Sequence, residues 1–143
     1  MDRENQSVDE KYNAIQRVYC PYFKEHIYYT RTGLEHLKFK NKFKARTEKD
    51  LRFRTMLLPI SVEIIAQSHT LQGKICRRGF EERYVNNRKE IALTDVTYYE
   101  FLAIINERRA KVVIKQIENG NKIFLSVIPV FKQKMPPETS DIL

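Results

Sequence analysis

The sequence predicts an α+β fold, with N-terminal helices packed on a small antiparallel β-sheet made of a C-terminal three-stranded meander and one earlier strand. Three observations carry this. Apolar residues at helical spacing dominate the first half of the chain. β-Branched and aromatic runs dominate the second half. Asn119-Gly120, between two such runs, is the strongest hairpin turn signal. With 143 residues, 42% of them hydrophobic and 11% aromatic, the chain suits one ordinary core. A single domain is expected, with its core at about residues 7–132 and a polar, Pro-containing tail at 133–143.

Residues 7–18 read as a short amphipathic helix. Ser7 and Glu10 have the spacing of a capping box, and Tyr12, Ile15 and Val18 or Tyr19 share one face. Pro21 ends it. Residues 25–30, EHIYYT, read as the earlier strand. Arg31-Thr32-Gly33 reads as a turn, and Leu34 and Leu37 as one or two helical turns with His36 beside their apolar edge. Residues 38–44 alternate lysine with Phe39, Asn41 and Phe43. As a strand they would put Lys38, Lys40, Lys42 and Lys44 on one face; otherwise they form a basic loop.

Thr47 is placed to cap a helix through the amide of Asp50, with Leu51, Met56, Leu57 and Leu58 following. Pro59 either breaks that helix or opens a second one that carries Ile60, Ile64 and Ile65 to about Gln67. Residues 73–88 are charged and aperiodic and read as a loop. Residues 96–105, 111–117 and 122–130 supply the meander, with a turn at 106–109.

The last hairpin predicts its own faces. With Asn119 and Gly120 at the centre of the turn, both at positive φ, Lys115 opposes Phe124, Ile114 opposes Leu125 and Val113 opposes Ser126. One face then carries Val112, Ile114, Gln116, Ile123, Leu125 and Val127 and belongs to the core. The other face groups Lys115, Phe124 and Ser126: a cation, an aromatic platform and a hydroxyl, which suit a phosphate beside a base or sugar.

The 26 Lys and Arg against 18 Asp and Glu give a net charge of +8. That excess is local. Residues 38–54 hold eight basic and two acidic residues, including Lys38, Lys40, Lys42, Lys44, Arg46, Arg52 and Arg54, interleaved with Phe39, Phe43 and Phe53. A second basic cluster at 74–88 includes Arg77 and Arg78. Concentrated charge with aromatic residues suits a surface that follows a phosphate backbone. An acidic inhibitor or antitoxin protein would fit the same surface.

Several classes find no support. Apolar runs such as 56–60 and 101–105 fall far short of the roughly 18 residues a spanning helix needs, so no membrane partner is expected. The polar, acid-containing first ten residues are unlike a secretory signal. Cys20 and Cys76 stand alone, which fits a reducing compartment and a cytoplasmic location. His26, His36 and His69 lack metal-ligand spacing, and no Walker or G-x-G-x-x-G motif occurs, so neither metal nor cofactor is expected.

RNA can be cleaved without a metal, by attack of its own 2′-OH on the adjacent phosphorus. His36 is the best candidate acid or base, since it stands beside the basic segment and histidine titrates near neutrality. The segment GLEHL at 33–37, the basic segment, the LLP-containing helices and KVVIKQIENGNKIFLSVIP at 111–129 together resemble the phage-associated nuclease superfamily that groups barnase, EndoU, colicin-type and RelE-like ribonucleases. The resemblance spans roughly residues 18–129. It implies a small metal-independent ribonuclease, used as a toxin or in phage and mobile-element conflict. Within it, His36 matches the motif histidine, and Lys115 and Ser126 match polar strand positions. Two further readings use the same surface: a non-catalytic nucleic-acid-binding module, and an accessory protein that inhibits a host protein.

Overall fold

A computed structural model describes residues 2–41 and 43–130, without the side chains of 2–7 and 83–85. Lys42 and the tail at 133–143 lie outside the described residues. The architecture is α+β. In chain order the elements are α1 (Asp2–Ile15), β1 (Arg17–Cys20), β2 (Glu25–Tyr28), α2 (Arg31–Lys38), β3 (Phe39–Asn41), β4 (Lys44–Ala45), α3 (Glu48–Gln67), β5 (Gly73–Val85), β6 (Arg88–Ile105), β7 (Arg108–Ile117) and β8 (Lys122–Pro129). The main sheet has the order β1-β2-β8-β7-β6-β5, and β3-β4 form a separate small ribbon. All main-sheet pairings are antiparallel except β2 with β8. The meander β6-β7-β8 is as expected, but the sheet gains three other strands rather than one.

The additions have physical reasons. β5 occupies the stretch expected to be a loop. Its hairpin with β6 turns at Asn86-Asn87, both at positive φ, with Phe80 and Glu82 exposed on one face and Gly79 and Glu81 half-buried on the other. The half-buried face carries Gly79 and Glu81 and the exposed face Phe80, so no core-facing apolar alternation marks it. β1 follows α1 directly, because Gln16, at φ 63°, reverses the chain after Ile15. The helix therefore starts well before Ser7, which is an interior position rather than a cap, and Val18 belongs to a strand. Arg31-Thr32-Gly33 is the first turn of α2 rather than a separate turn.

α3 runs unbroken for 20 residues through Pro59. Thr47 caps it, its side chain accepting from the amide of Asp50 at 3.1 Å. The core lies between this helix, α1 and one face of the sheet. It joins Leu57, Leu58, Ile64 and Ile65 of α3 and Val8 and Tyr12 of α1 to Phe101, Val112, Ile114, Phe124 and Val127 of the strands.

The β7-β8 register differs from the expected one over its turn-proximal half. Val112 pairs with Val127 and Val113 with Ser126, as expected, but Ile114 pairs with Phe124, Lys115 with Ile123 and Gln116 with Lys122. The turn is centred one residue earlier. Glu118 takes the positive φ, 49°, Gly120 does not, and the amide of Gly120 donates to the carbonyl of Ile117 at 2.9 Å. A bulge at Leu125 absorbs the slip. One residue of shift moves Phe124 to the opposite face.

Candidate active site

α2 positions His36. The helix lies against β8 at Gly33, where an added Cβ would run into the Tyr12 hydroxyl and the carbonyl and ring of Phe124. Leu37 faces the core and is buried, while His36, one position earlier, points to another side and is half-buried. A cavity of about 480 Å³ joins His36 to Thr32, Phe39, Lys40, Lys115 and Leu125. A second cavity of about 250 Å³ joins His36 and Lys40 to Arg46, Arg54, Ser126 and Ile128. The two cavities share His36 and Lys40; Lys115 lines only the first and Ser126 only the second, so His36 stands between the two other expected site residues.

A chain of polar contacts fixes the second cavity. Arg46 Nε and Nη2 donate to the carbonyl of His36 at 3.2 and 3.1 Å, and its Nη1 pairs with Asp50 Oδ2 at 3.2 Å. Arg54 Nε pairs with the other oxygen of Asp50 at 3.2 Å, and Arg54 Nη1 donates to Ser126 Oγ at 3.4 Å. The Arg46 side chain is only 7% exposed and that of Arg54 16%. Two nearly buried guanidiniums thus share one carboxylate. Burial and the like charge of Arg46 pull Arg54 below its ordinary pKa, with Asp50 opposing. Surplus buried positive charge of this kind is relieved by an anion.

The same surplus acts on His36. Burial, then Arg46, Arg54 and Lys115, push its pKa down from 6.5 to about 4. The ring is therefore neutral at pH 7 but a weaker base than an ordinary histidine, and an anion bound among those cations would raise its basicity. Its Nδ1 is buried with no hydrogen-bond partner. Lys115 Nζ pairs with Glu81 Oε1 at 3.0 Å, so its charge is partly balanced by β5.

The other expected binding residues divide. Lys40 lines both cavities and is exposed. Lys44 is exposed on the β3-β4 ribbon. Arg46 and Arg54 belong to the buried clamp rather than to an open basic face. Arg52 lines a separate neighbouring cleft. Lys38 ends α2 and pairs with Asp9 at 3.0 Å, so it is not an open phosphate contact. On β5, Arg77 lies over the Tyr98 ring and Arg78 pairs with Asp95 of β6, and neither lines the two cavities.

Phe124 is the clear correction. It is fully buried and stacks on Tyr29 with centroids 4.5 Å apart, because the bulge turns it into the core. The aromatic ring in the first cavity is Phe39 instead, 41% exposed.

No protein-family model, curated protein or solved structure matches this chain. Among the described residues, no cluster of three or more His, Cys, Asp or Glu could hold a metal, and no helix is long and apolar enough to cross a membrane. Sequence reasoning missed the clamp, although Arg46, Asp50 and Arg54 stand four residues apart. That spacing puts the latter two on one face of the capped helix. It also missed Glu81, because β5 was read as a loop.

Proposed function

We propose that the chain is a small metal-independent ribonuclease that binds a phosphodiester in the cavity between His36, Arg46, Arg54 and Ser126. The observation that carries this is one neutral, half-buried imidazole that lines a cavity with two guanidiniums and a serine hydroxyl and, on its other side, a cavity with Lys115. In the proposed step the neutral His36 takes the proton from the ribose 2′-OH. The 2′-oxygen forms a bond to phosphorus, and the bond from phosphorus to the 5′-oxygen breaks. Lys115 donates the proton that the leaving 5′-oxygen needs, and solvent restores both groups. Arg46 and Arg54 balance the charge that builds on the phosphoryl oxygens, with the Ser126 hydroxyl beside them. Phe39 offers a face for an adjoining base.

A toxin or mobile-element role, with an acidic inhibitor as partner, fits the same surface. The cytoplasm fits the substrate and two free thiols, Cys20 and Cys76. Purified protein should cleave single-stranded RNA in EDTA and leave 2′,3′-cyclic phosphate ends. His36→Ala should lower the rate by about 10² or more while RNA binding persists. RNA that binds tightly but is never cut would leave a non-catalytic binding module in its place.

A further inference from the structure

α3 and β8, which wall the phosphate cavity, also wall a larger cleft that the proposed cleavage step does not use. Its volume is about 560 Å³, and Lys49, Phe53, Met56, Arg108, Pro129 and Val130 are among its walls. We infer that this cleft is a nucleoside subsite, which takes the base and ribose on the side of the bound phosphate away from Phe39. The inference rests on the ribonuclease reading for the identity of the strand, and the cleft itself rests on separate residues.

Continuity is the first argument. Phe53 precedes Arg54 on α3, and Pro129 follows Ile128 on β8; Arg54 and Ile128 line the phosphate cavity while Phe53 and Pro129 line the cleft. The cavity that holds Phe39 touches the phosphate cavity at other residues, His36 and Lys40. Aromatic-bearing hollows thus stand at two sides of the phosphate-cavity residues: one shares His36 and Lys40 with it, and the other is reached one residue along α3 and β8. A phosphodiester links two nucleosides, and this arrangement offers each a place.

Chemistry is the second argument. Phe53 and Met56 stand three residues apart on α3 and are 37% and 49% exposed, so an apolar surface faces solvent there. Lys49, one turn before Phe53, and Arg108 at the start of β7 add positive charge at the rim, with Glu107 beside Arg108 as a carboxylate among the walls. Aromatic platforms among cations are how single strands are held without base-specific readout. The volume lies in the range of small-ligand sites, about 300–1,000 Å³. An acidic peptide would match the charge, but it would leave the exposed Phe53 and Met56 without a stacking partner.

The test uses the full chain and a short 2′-O-methyl RNA, which lacks the attacking hydroxyl and so reports binding alone. Phe53→Ala should weaken its binding roughly tenfold, as loss of one stacked base does. Phe53→Trp should bind as the parent does. Met56→Glu, which places an anion in the cleft at an exposed position, should weaken binding at least as much. Circular dichroism checks that each variant is folded. Parent-like binding by folded Phe53→Ala and Met56→Glu overturns the subsite, as does protection of Phe53 by an acidic peptide but not by RNA. Failure of the parent protein to cut unmodified RNA counts against the ribonuclease reading and leaves the binding result to judge the cleft.

Discussion

His36 combines two properties that a buried core histidine lacks: three cations facing it and a buried Nδ1 without a partner. Its ring should titrate at about 4 in the free protein, and inorganic phosphate should raise that value by adding negative charge beside it. NMR of the imidazole checks both; titration at 6.5, unmoved by phosphate, would mean that Arg46, Arg54 and Lys115 do not act on the ring. The same shift bears on stability. The unfolded chain takes up the His36 proton near 6.5, whereas the folded chain resists it until about 4. Folding stability is therefore complete above 6.5 and falls as pH drops through that window. Because solvent reaches part of the ring, we expect the loss to be about 1–2 kcal/mol rather than the full equivalent of the shift. Denaturant titrations at pH 7.5 and 4 should show it, and His36→Asn should remove that part of the pH dependence.

At the scale of elements, α2 packs tightly on the sheet at Gly33. Gly33 is there because helix and strand approach too closely for a Cβ, not because a turn needs a positive φ. Gly33→Ala should destabilise the fold by about 1–3 kcal/mol through overpacking and should also lower RNA cleavage, since it displaces His36 from Ser126. Gly79→Ala on β5 is the control, with open space around its Cβ and an expected stability change within about 0.5 kcal/mol. Thermal melts of the two variants decide this. What could be read from the residues follows the same line between packed and open elements. The cap at Thr47 and the meander strands were legible, because capping chemistry and one buried face leave a pattern. β5 was not, because its half-buried face carries Gly79 and Glu81 where a core strand would carry apolar residues. The face of Phe124 was misread because a bulge is invisible to simple alternation, even though the Val113–Ser126 pair beside it was right. Ser126 consequently kept its place at the site while Phe124 moved into the core.

For the molecule as a whole, the question is which of its positive charges meet a ligand. The net charge of +8 makes any polyanion a partner on paper. The structure separates the charges into groups. Lys38, Arg78 and Lys115 have carboxylate partners, and Arg46 and Arg54 share one. Lys40 stands exposed where the two site cavities meet. Binding of a single strand falls with salt by about 0.7 in log–log slope for each phosphate neutralised. If the strand crosses the site as proposed, three phosphates or so give a slope of about −2. Lys40→Ala should make it shallower by about 0.7. The double replacement Arg77→Ala and Arg78→Ala should leave it unchanged, because those side chains are engaged with Tyr98 and Asp95 on a strand that lines neither cavity. Fluorescence anisotropy with a 2′-O-methyl oligonucleotide over a range of salt gives all three slopes. A loss from the β5 pair equal to that from Lys40 would put the strand on the hairpin edge, and the site around His36 would then lose its claim to the polyanion.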